Sequence, residues 1–221
     1  MKRALVIGAS GGIGQALCAD MKQQGWQVTG LSRSADGLDV TDEGSVRHHL
    51  GALEGPFDRI IIATGALEIA GHRPEKALKH LSSEGMALQF ALNTIGPALV
   101  MKHAAALLPR DAPCVMAALS ARVGSIGDNR AGGWHSYRAS KAALNQIIRG
   151  AAIELGRTHR QSICVALHPG TVATPFTEKY LGRHPAVAPR EAAANLTRAM
   201  DGLTPAQSGQ FFDWAGKVVA W

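Results

Sequence analysis

Tyr137 and Lys141 stand four residues apart in Trp134-His135-Ser136-Tyr137-Arg138-Ala139-Ser140-Lys141-Ala142-Ala143-Leu144-Asn145. Good helix formers dominate this run, and neither Gly nor Pro occurs between Trp134 and Arg149, so it reads as a helix. Residues four apart share a helix face, which projects the two side chains together. A free tyrosine, with a pKa of about 10, exchanges protons poorly at neutral pH. A lysine ammonium within roughly 4–6 Å favours the phenolate and lowers that value. Such a pair has the chemistry of a general acid/base near neutrality. The same spacing also arises in half-exposed surface pairs, and the rest of the chain has to separate the two cases.

The strongest companion signal lies at the start. Arg3 to Ile7 is a short apolar run that reads as a buried strand. It passes into Gly8-Ala9-Ser10-Gly11-Gly12-Ile13-Gly14 and then into the helical Gln15-Ala16-Leu17-Cys18-Ala19-Asp20-Met21-Lys22. Strand, glycine turn and helix form the context of a dinucleotide site: the glycines admit a pyrophosphate to the backbone, and the helix N-terminus offers free N–H groups. The spacing is Gly-x-x-x-Gly-x-Gly rather than Gly-x-Gly-x-x-Gly. The second strand, Trp26 to Leu31, ends in Ser32-Arg33-Ser34 with no acid at its tip. An acid there would hold a ribose 2′-hydroxyl; Arg33 and Ser32 instead suit a 2′-phosphate. NADP(H) is therefore expected over NAD(H), with Asp36 near enough in sequence to keep NAD(H) in play.

Further strands are expected at Phe57 to Ala63, Ala112 to Leu119 and Gln161 to Leu167. Gln210 to Trp214 and Lys217 to Val219 form a last strand or hairpin. Leu38-Asp39-Val40 is a candidate third strand with an abbreviated crossover; Thr41 or Asp42 then caps a helix through Leu50. The adjacent His48 and His49 point different ways on that helix and read as surface residues. Leu78 to Leu107 is helix-rich and contains Asn93, which if buried must be a backbone brace or a member of a proton path. Helices are also expected from Tyr137 onward and over Glu191 to Met200. Alternation of strands and helices predicts an α/β fold, a Rossmann-type doubly wound parallel sheet in a single three-layer domain spanning 1–221, with ligand groups at the carboxyl ends of the strands.

Composition agrees. The chain has 221 residues, 46% apolar and 18% charged, and no apolar run near the ~20 residues of a membrane span. Met1-Lys2-Arg3 followed by Ala4-Leu5-Val6-Ile7 is too short for a signal peptide and breaks into the glycine turn. Cys18, Cys114 and Cys164 lack metal-ligand spacing, so no metal site is expected and reduced thiols in a cytoplasmic protein are. The net charge of +6 suits an anionic partner. No basic run with interleaved aromatics marks a nucleic-acid face, and a phosphate-bearing small molecule accounts for the bias.

Taken together, Gly8-x-x-x-Gly12-Ile13-Gly14, Ser120, Tyr137-x-x-x-Lys141 and Pro169-Gly170-x-x-x-Thr174 resemble the short-chain dehydrogenases/reductases over essentially the whole chain. Arg122 to Asn129, Tyr137 to Asn145 and Phe212 to Trp221 resemble the C-factor/sniffer-like branch. The resemblance implies that Tyr137 protonates a carbonyl oxygen or deprotonates an alcohol. Lys141 lowers the Tyr137 pKa and holds the ribose, Ser120 orients the substrate oxygen, and Asn93 supports a proton relay. It places Asp39 and Val40 by the adenine, Thr64 and Gly65 along the cofactor, and Val172 and Thr174 at the carboxamide. It also implies a homodimer or homotetramer paired through helices around Leu92–Leu107 and Tyr137–Leu155, and a small-molecule carbonyl or alcohol substrate. The sequence departs from the pattern at Ile62-Ala63-Thr64-Gly65, where two asparagines are usual, and at Ser120-Ala121, where a second serine is usual. Ser125 is an alternative source of the hydroxyl. The short segment Pro175 to Pro189, where the family places a substrate lid, implies an open pocket, with Tyr180, Phe176, Trp134 and His135 as candidate walls. A dinucleotide-binding signalling protein of C-factor type is the alternative to an enzyme.

Overall fold

Four runs of apolar residues build the centre of the molecule. In the computed structural model, which describes residues 1–175, 177–180 and 186–221, they are strands β1 (Arg3–Ile7), β3 (Arg59–Ile62), β4 (Cys114–Leu119) and β5 (Ser162–His168). β2 (Gln27–Leu31) and β6 (Phe211–Asp213) flank them in a six-stranded sheet of order β2-β1-β3-β4-β5-β6, parallel throughout. Parallel sheets bury both faces, and side chains alternate between them. Leu5, Ile7, Ile60, Ile62, Met116, Ala118 and Ala166 accordingly meet the helices α3 (Glu43–Gly51), α5 (Gly96–Ala104) and α6 (His135–Thr158). Ala4, Val6, Ile61, Ala117, Val165 and Leu167 meet α1 (Gly12–Gln23) and α7 (Pro189–Asp201). The result is one three-layer α/β domain.

The expected strand at Leu38-Asp39-Val40 is absent. Ser32 caps a one-turn helix, α2 (Arg33–Asp36), by accepting the Ala35 N–H; Gly37 closes it in the left-handed region at φ 79°. Asp39 then folds back, its Oδ1 accepting the Thr41 N–H at 2.9 Å and the Thr41 hydroxyl at 2.7 Å. This side-chain turn competes with extended pairing, so β2 is left as the edge of the sheet. Asp42, not Thr41, caps α3 through Gly44 N–H. His49 is more than a surface residue: its ring nitrogens lie 2.8 Å from Ser45 O and 2.9 Å from Asp36 O, tying α3 to α2.

The helix-rich stretch after β3 is interrupted. α4 (Ser83–Phe90) runs into α5 through a π-helical turn, Ala91–Ile95, with Asn93 in its middle. Such turns redirect side chains and recur at functional sites.

Candidate active site

The glycine turn is held by contacts that exclude side chains. Gly8 has φ +89°, and a Cβ there would lie 3.0 Å from the carbonyl of Ala63; one on Gly14 would lie 2.1 Å from Gly8 O. A Cβ on Gly12 would meet Thr174 Cγ2 at 2.8 Å, which brings the loop after β5 against the first turn of α1. Gly11, at the N-cap position of α1, has no side chain with which to bond the first-turn amides, leaving them to a ligand. The Thr64 hydroxyl is buried with no partner among the described residues, at the carboxyl end of β3. A tight backbone cradle, a helix N-terminus and an orphaned hydroxyl fit a dinucleotide.

Around that cradle the expected residues fall into place unequally. Gly65 has φ +149°, and a Cβ there would approach Asn93 Oδ1 to 2.8 Å and Lys141 Nζ to 3.3 Å, so Gly65, Asn93 and Lys141 converge. Asn93 is the backbone brace of the two roles expected for it. Its Oδ1 accepts Ala66 N–H at 3.0 Å, and its Nδ2 donates to Ala66 O at 2.9 Å and to Gln89 Oε1 at 2.6 Å. The π-helical turn aims it there. Val172 is buried in a bridge to Val187, and Gly170 has φ +80° with Trp214 against it. Val40 packs into the core against Gly96. Arg33 is exposed at the first position of α2, whereas Ser32 is buried and donates its N–H and hydroxyl to Asp36 Oδ2 at 2.7 and 3.2 Å.

Tyr137 and Lys141 share a face of α6, as their spacing predicts, and are 6% and 3% exposed. Lys141 Nζ donates to Leu119 O at 2.9 Å and lies 5.9 Å from the Tyr137 ring centroid. Burial governs the electrostatics of the pair. Burial raises the Tyr137 pKa, and burial also lowers that of Lys141 to about 8. Desolvation disfavours each charged form.

Ser120 is buried just past β4, where its hydroxyl donates to Asn145 Oδ1 on α6 at 2.6 Å. Ser125 is buried too, its hydroxyl oxygen accepting Asp128 N–H. Of the candidate walls, Trp134 meets Tyr137 and Tyr180 edge-on, with ring centroids 6.3 and 5.5 Å apart. Tyr180 donates its hydroxyl to Glu68 at 2.5 Å; Phe176 lies outside the described residues. Glu75 went unremarked in the sequence. It lines a pocket with Tyr137, Ser136, Gln89 and His72, and its one sequence signal is that it is the sole acid between His72 and His80.

A model of the family described as enoyl-(acyl carrier protein) reductase matches residues 8–210. The chain belongs to the short-chain dehydrogenases/reductases. It is 31% identical over 233 aligned positions, covering all of both chains, to the 1-hydroxy-2-glutathionyl-2-methyl-3-butene dehydrogenase of Rhodococcus sp. (strain AD45). It is 35% identical over 146 residues to the C-signal protein of Myxococcus xanthus, across 66% of this chain and 84% of that one. Among solved structures it matches a putative short-chain dehydrogenase/reductase from Burkholderia multivorans with bound NADP, with a TM-score of 0.81, 24% identity and coverage of 100% and 99%. It also matches the carbonyl reductase Sniffer of D. melanogaster, with a TM-score of 0.80 and 18% identity over the whole of both chains. Those two likenesses are of fold. As a short-chain dehydrogenase/reductase the chain is an oxidoreductase. No helix among its described residues is long and apolar enough to cross a membrane.

Proposed function

We propose that this chain interconverts a carbonyl and an alcohol with NADP(H), using Tyr137 as general acid/base. The observation that carries the reading is the burial of Tyr137 and Lys141 on one face of α6, with Lys141 Nζ against Gly65 at the carboxyl end of β3. The nicotinamide, when bound, supplies the hydride for reduction and accepts it for oxidation. In reduction Tyr137 Oη gives its proton to the carbonyl oxygen; in oxidation it takes the proton of the alcohol. A phenol whose pKa is raised by burial is protonated at neutral pH and ready for the first of these. Lys141 holds the ribose hydroxyls and keeps a positive charge beside the phenol. Thr64, Gly65, Val172 and Thr174 line the cofactor. Asn93 acts by bracing Ala66, and Ser120 by bracing α6 through Asn145.

Arg33 supports NADP(H) over NAD(H). It is exposed just past the end of β2, and Asp36, in the same short helix, is turned back on Ser32. Exposed Ile95, Ile147 and Ile153 support pairing of two copies through the α5 and α6 side, and a cytoplasmic location agrees with the three free thiols.

The test follows NADPH absorbance with wild type and Tyr137→Phe over carbonyls, alcohols and a glutathionylated alcohol, since the Rhodococcus relative is named for one. Turnover lost in Tyr137→Phe, with NADPH binding retained, supports the mechanism; turnover unchanged in the variant rules it out. The likeness to C-signal supports a second reading, a dinucleotide-binding signalling protein. That reading gains if neither protein turns over any substrate and Tyr137→Phe retains biological activity.

A further inference from the structure

The loop between β3 and α4 is gripped at both ends. Near its start, Asn93 holds both backbone groups of Ala66, and Gln89 Nε2 donates to Leu67 O at 2.7 Å. Near its end the loop grips α6 in turn. The Glu75 carboxylate accepts the Ser136 N–H at 3.1 Å and the Ser136 hydroxyl, and the Glu75 carbonyl accepts the Trp134 N–H at 2.5 Å. Glu75 is 8% exposed, and although burial pushes its pKa up, the bonds from Ser136 hold it below the usual carboxylate value.

α6 depends on this grip. It is 24 residues long, yet Trp134 at its N-cap position forms no side-chain cap bond and its first turn holds no acid. Trp134 also sits in the left-handed region at φ 51°, a strained conformation for a bulky residue that persists only where its surroundings impose it. An anion at a helix N-terminus satisfies first-turn amides and meets the positive end of the dipole. Glu75 supplies that anion from 61 residues away, and the residue after its partner Ser136 is Tyr137.

We infer that Glu75 is a positioning residue for the reaction: its carboxylate fixes the first turn of α6, and so the place of Tyr137 Oη over the substrate oxygen. The inference rests on Tyr137 being the acid/base. Loss of the grip lets the first turn relax from the strain at Trp134 while the rest of α6 stays packed. A displacement of about 1 Å in a reacting group lowers turnover on the order of a hundredfold.

The experiment compares wild type, Glu75→Gln, Glu75→Ala, Tyr137→Phe and Thr204→Ala by NADPH-linked turnover of a carbonyl accepted by wild type, by NADPH fluorescence titration and by thermal melting. Thr204 precedes a one-turn helix at Pro205–Gln207 and its hydroxyl donates to Gln207 Oε1 at 3.1 Å, so its loss is a control for a weakened helix start elsewhere. Expected are a fall in kcat of about ten- to a hundredfold in both Glu75 variants, the KM for the carbonyl and the Kd for NADPH within about twofold, and Tm a few degrees lower. Thr204→Ala should lose similar Tm and keep its kcat. Should Glu75→Ala fail to fold, the isosteric Glu75→Gln decides. Unchanged kcat in Glu75→Gln, or an equal loss of kcat in Thr204→Ala, makes Glu75 a stability element and overturns the inference. A raised KM at unchanged kcat makes it a substrate contact and overturns it as well. Turnover surviving in Tyr137→Phe overturns the underlying mechanism. Turnover lost there but normal in Glu75→Gln overturns the role of Glu75 alone.

Discussion

Replacing Gly14 by Ala tests the glycine turn where it is tightest. A Cβ at Gly14 would lie 2.1 Å from Gly8 O, and ordinary contacts begin near 3.4 Å, so the two must part by about 1.3 Å. Overpacking costs roughly 1–3 kcal/mol, and because the obstructing atom is backbone in a constrained turn the upper end applies. Alanine recovers up to about 1 kcal/mol through its helix propensity. The net loss of about 2 kcal/mol corresponds to a fall in Tm of roughly 4–8 °C for a chain of this size. The larger effect is on the cofactor, because the same 1.3 Å moves turn amides off the pyrophosphate. Two charge-assisted bonds at about 1.5–3 kcal/mol each amount to more than a hundredfold in Kd. The assay is thermal melting with and without NADPH. Ligand at about 100 times its Kd stabilises wild type by about 2.7 kcal/mol, so its Tm should rise by several degrees while that of Gly14→Ala stays put. Gly150→Ala, in the middle of α6 with nothing within 4 Å of its Cβ position, is the opposite case and should gain about 0.5–1 kcal/mol. NADPH affinity in Gly14→Ala within about threefold of wild type would show that this turn is not the cradle.

Arg33→Ala should weaken NADPH by about ten- to a hundredfold and leave NADH unchanged, as read by fluorescence titration; equal weakening of both refutes the 2′-phosphate role of Arg33. Lys141 is protonated below about pH 8 in the folded protein but up to about 10.5 unfolded, so the unfolded chain binds more protons between those values. Stability should therefore rise with pH across that window, by on the order of 3 kcal/mol if nothing else titrates; in Lys141→Met, followed by urea unfolding at several pH values, the rise should vanish. Burial lowers His168 to about 4, so stability should fall as pH drops from about 6.5 toward 4 and fall less in His168→Gln, with an unaltered slope counting against it.

Much of this was legible in the sequence because it depends on local patterns. The runs Arg3 to Ile7, Arg59 to Ile62 and Cys114 to Leu119 are buried on both faces, as a parallel sheet demands, and Gly14 is forced by Gly8 within the same turn. The Tyr137–Lys141 face follows from the helix period alone. What the sequence hid depends on direction or distance. Leu38-Asp39-Val40 has strand composition, but Asp39 satisfies the backbone of Thr41 and leaves no extended edge. The bond from the Ser120 hydroxyl to Asn145 spans 25 residues and leaves no local signature. The π-helical turn that aims Asn93 at Ala66 leaves no periodic signature, and Glu75 meets Ser136 across 61 residues.

The proton chemistry of the site follows from its dryness more than from its charge. Tyr137 and Lys141 are each pushed toward the neutral form, and they are pushed by the same burial. A phenol pushed up by burial stays protonated near neutrality, and a lysine near 8 exchanges its own proton there. Between about pH 7 and 8 the pair therefore holds a proton on the phenol and most of one on the amine. That is the arrangement needed to deliver a proton to a carbonyl oxygen and replace it from the lysine. Oxidation of an alcohol requires the pair to give up a proton first, so it should gain steadily on reduction as the pH rises through 8 and beyond. The ratio of oxidative to reductive kcat/KM as a function of pH reads this out, and a flat ratio between pH 7 and 10 contradicts it. Since both shifts come from burial, a variant that lets water reach the two side chains should move both pKa values back toward those of free tyrosine and lysine.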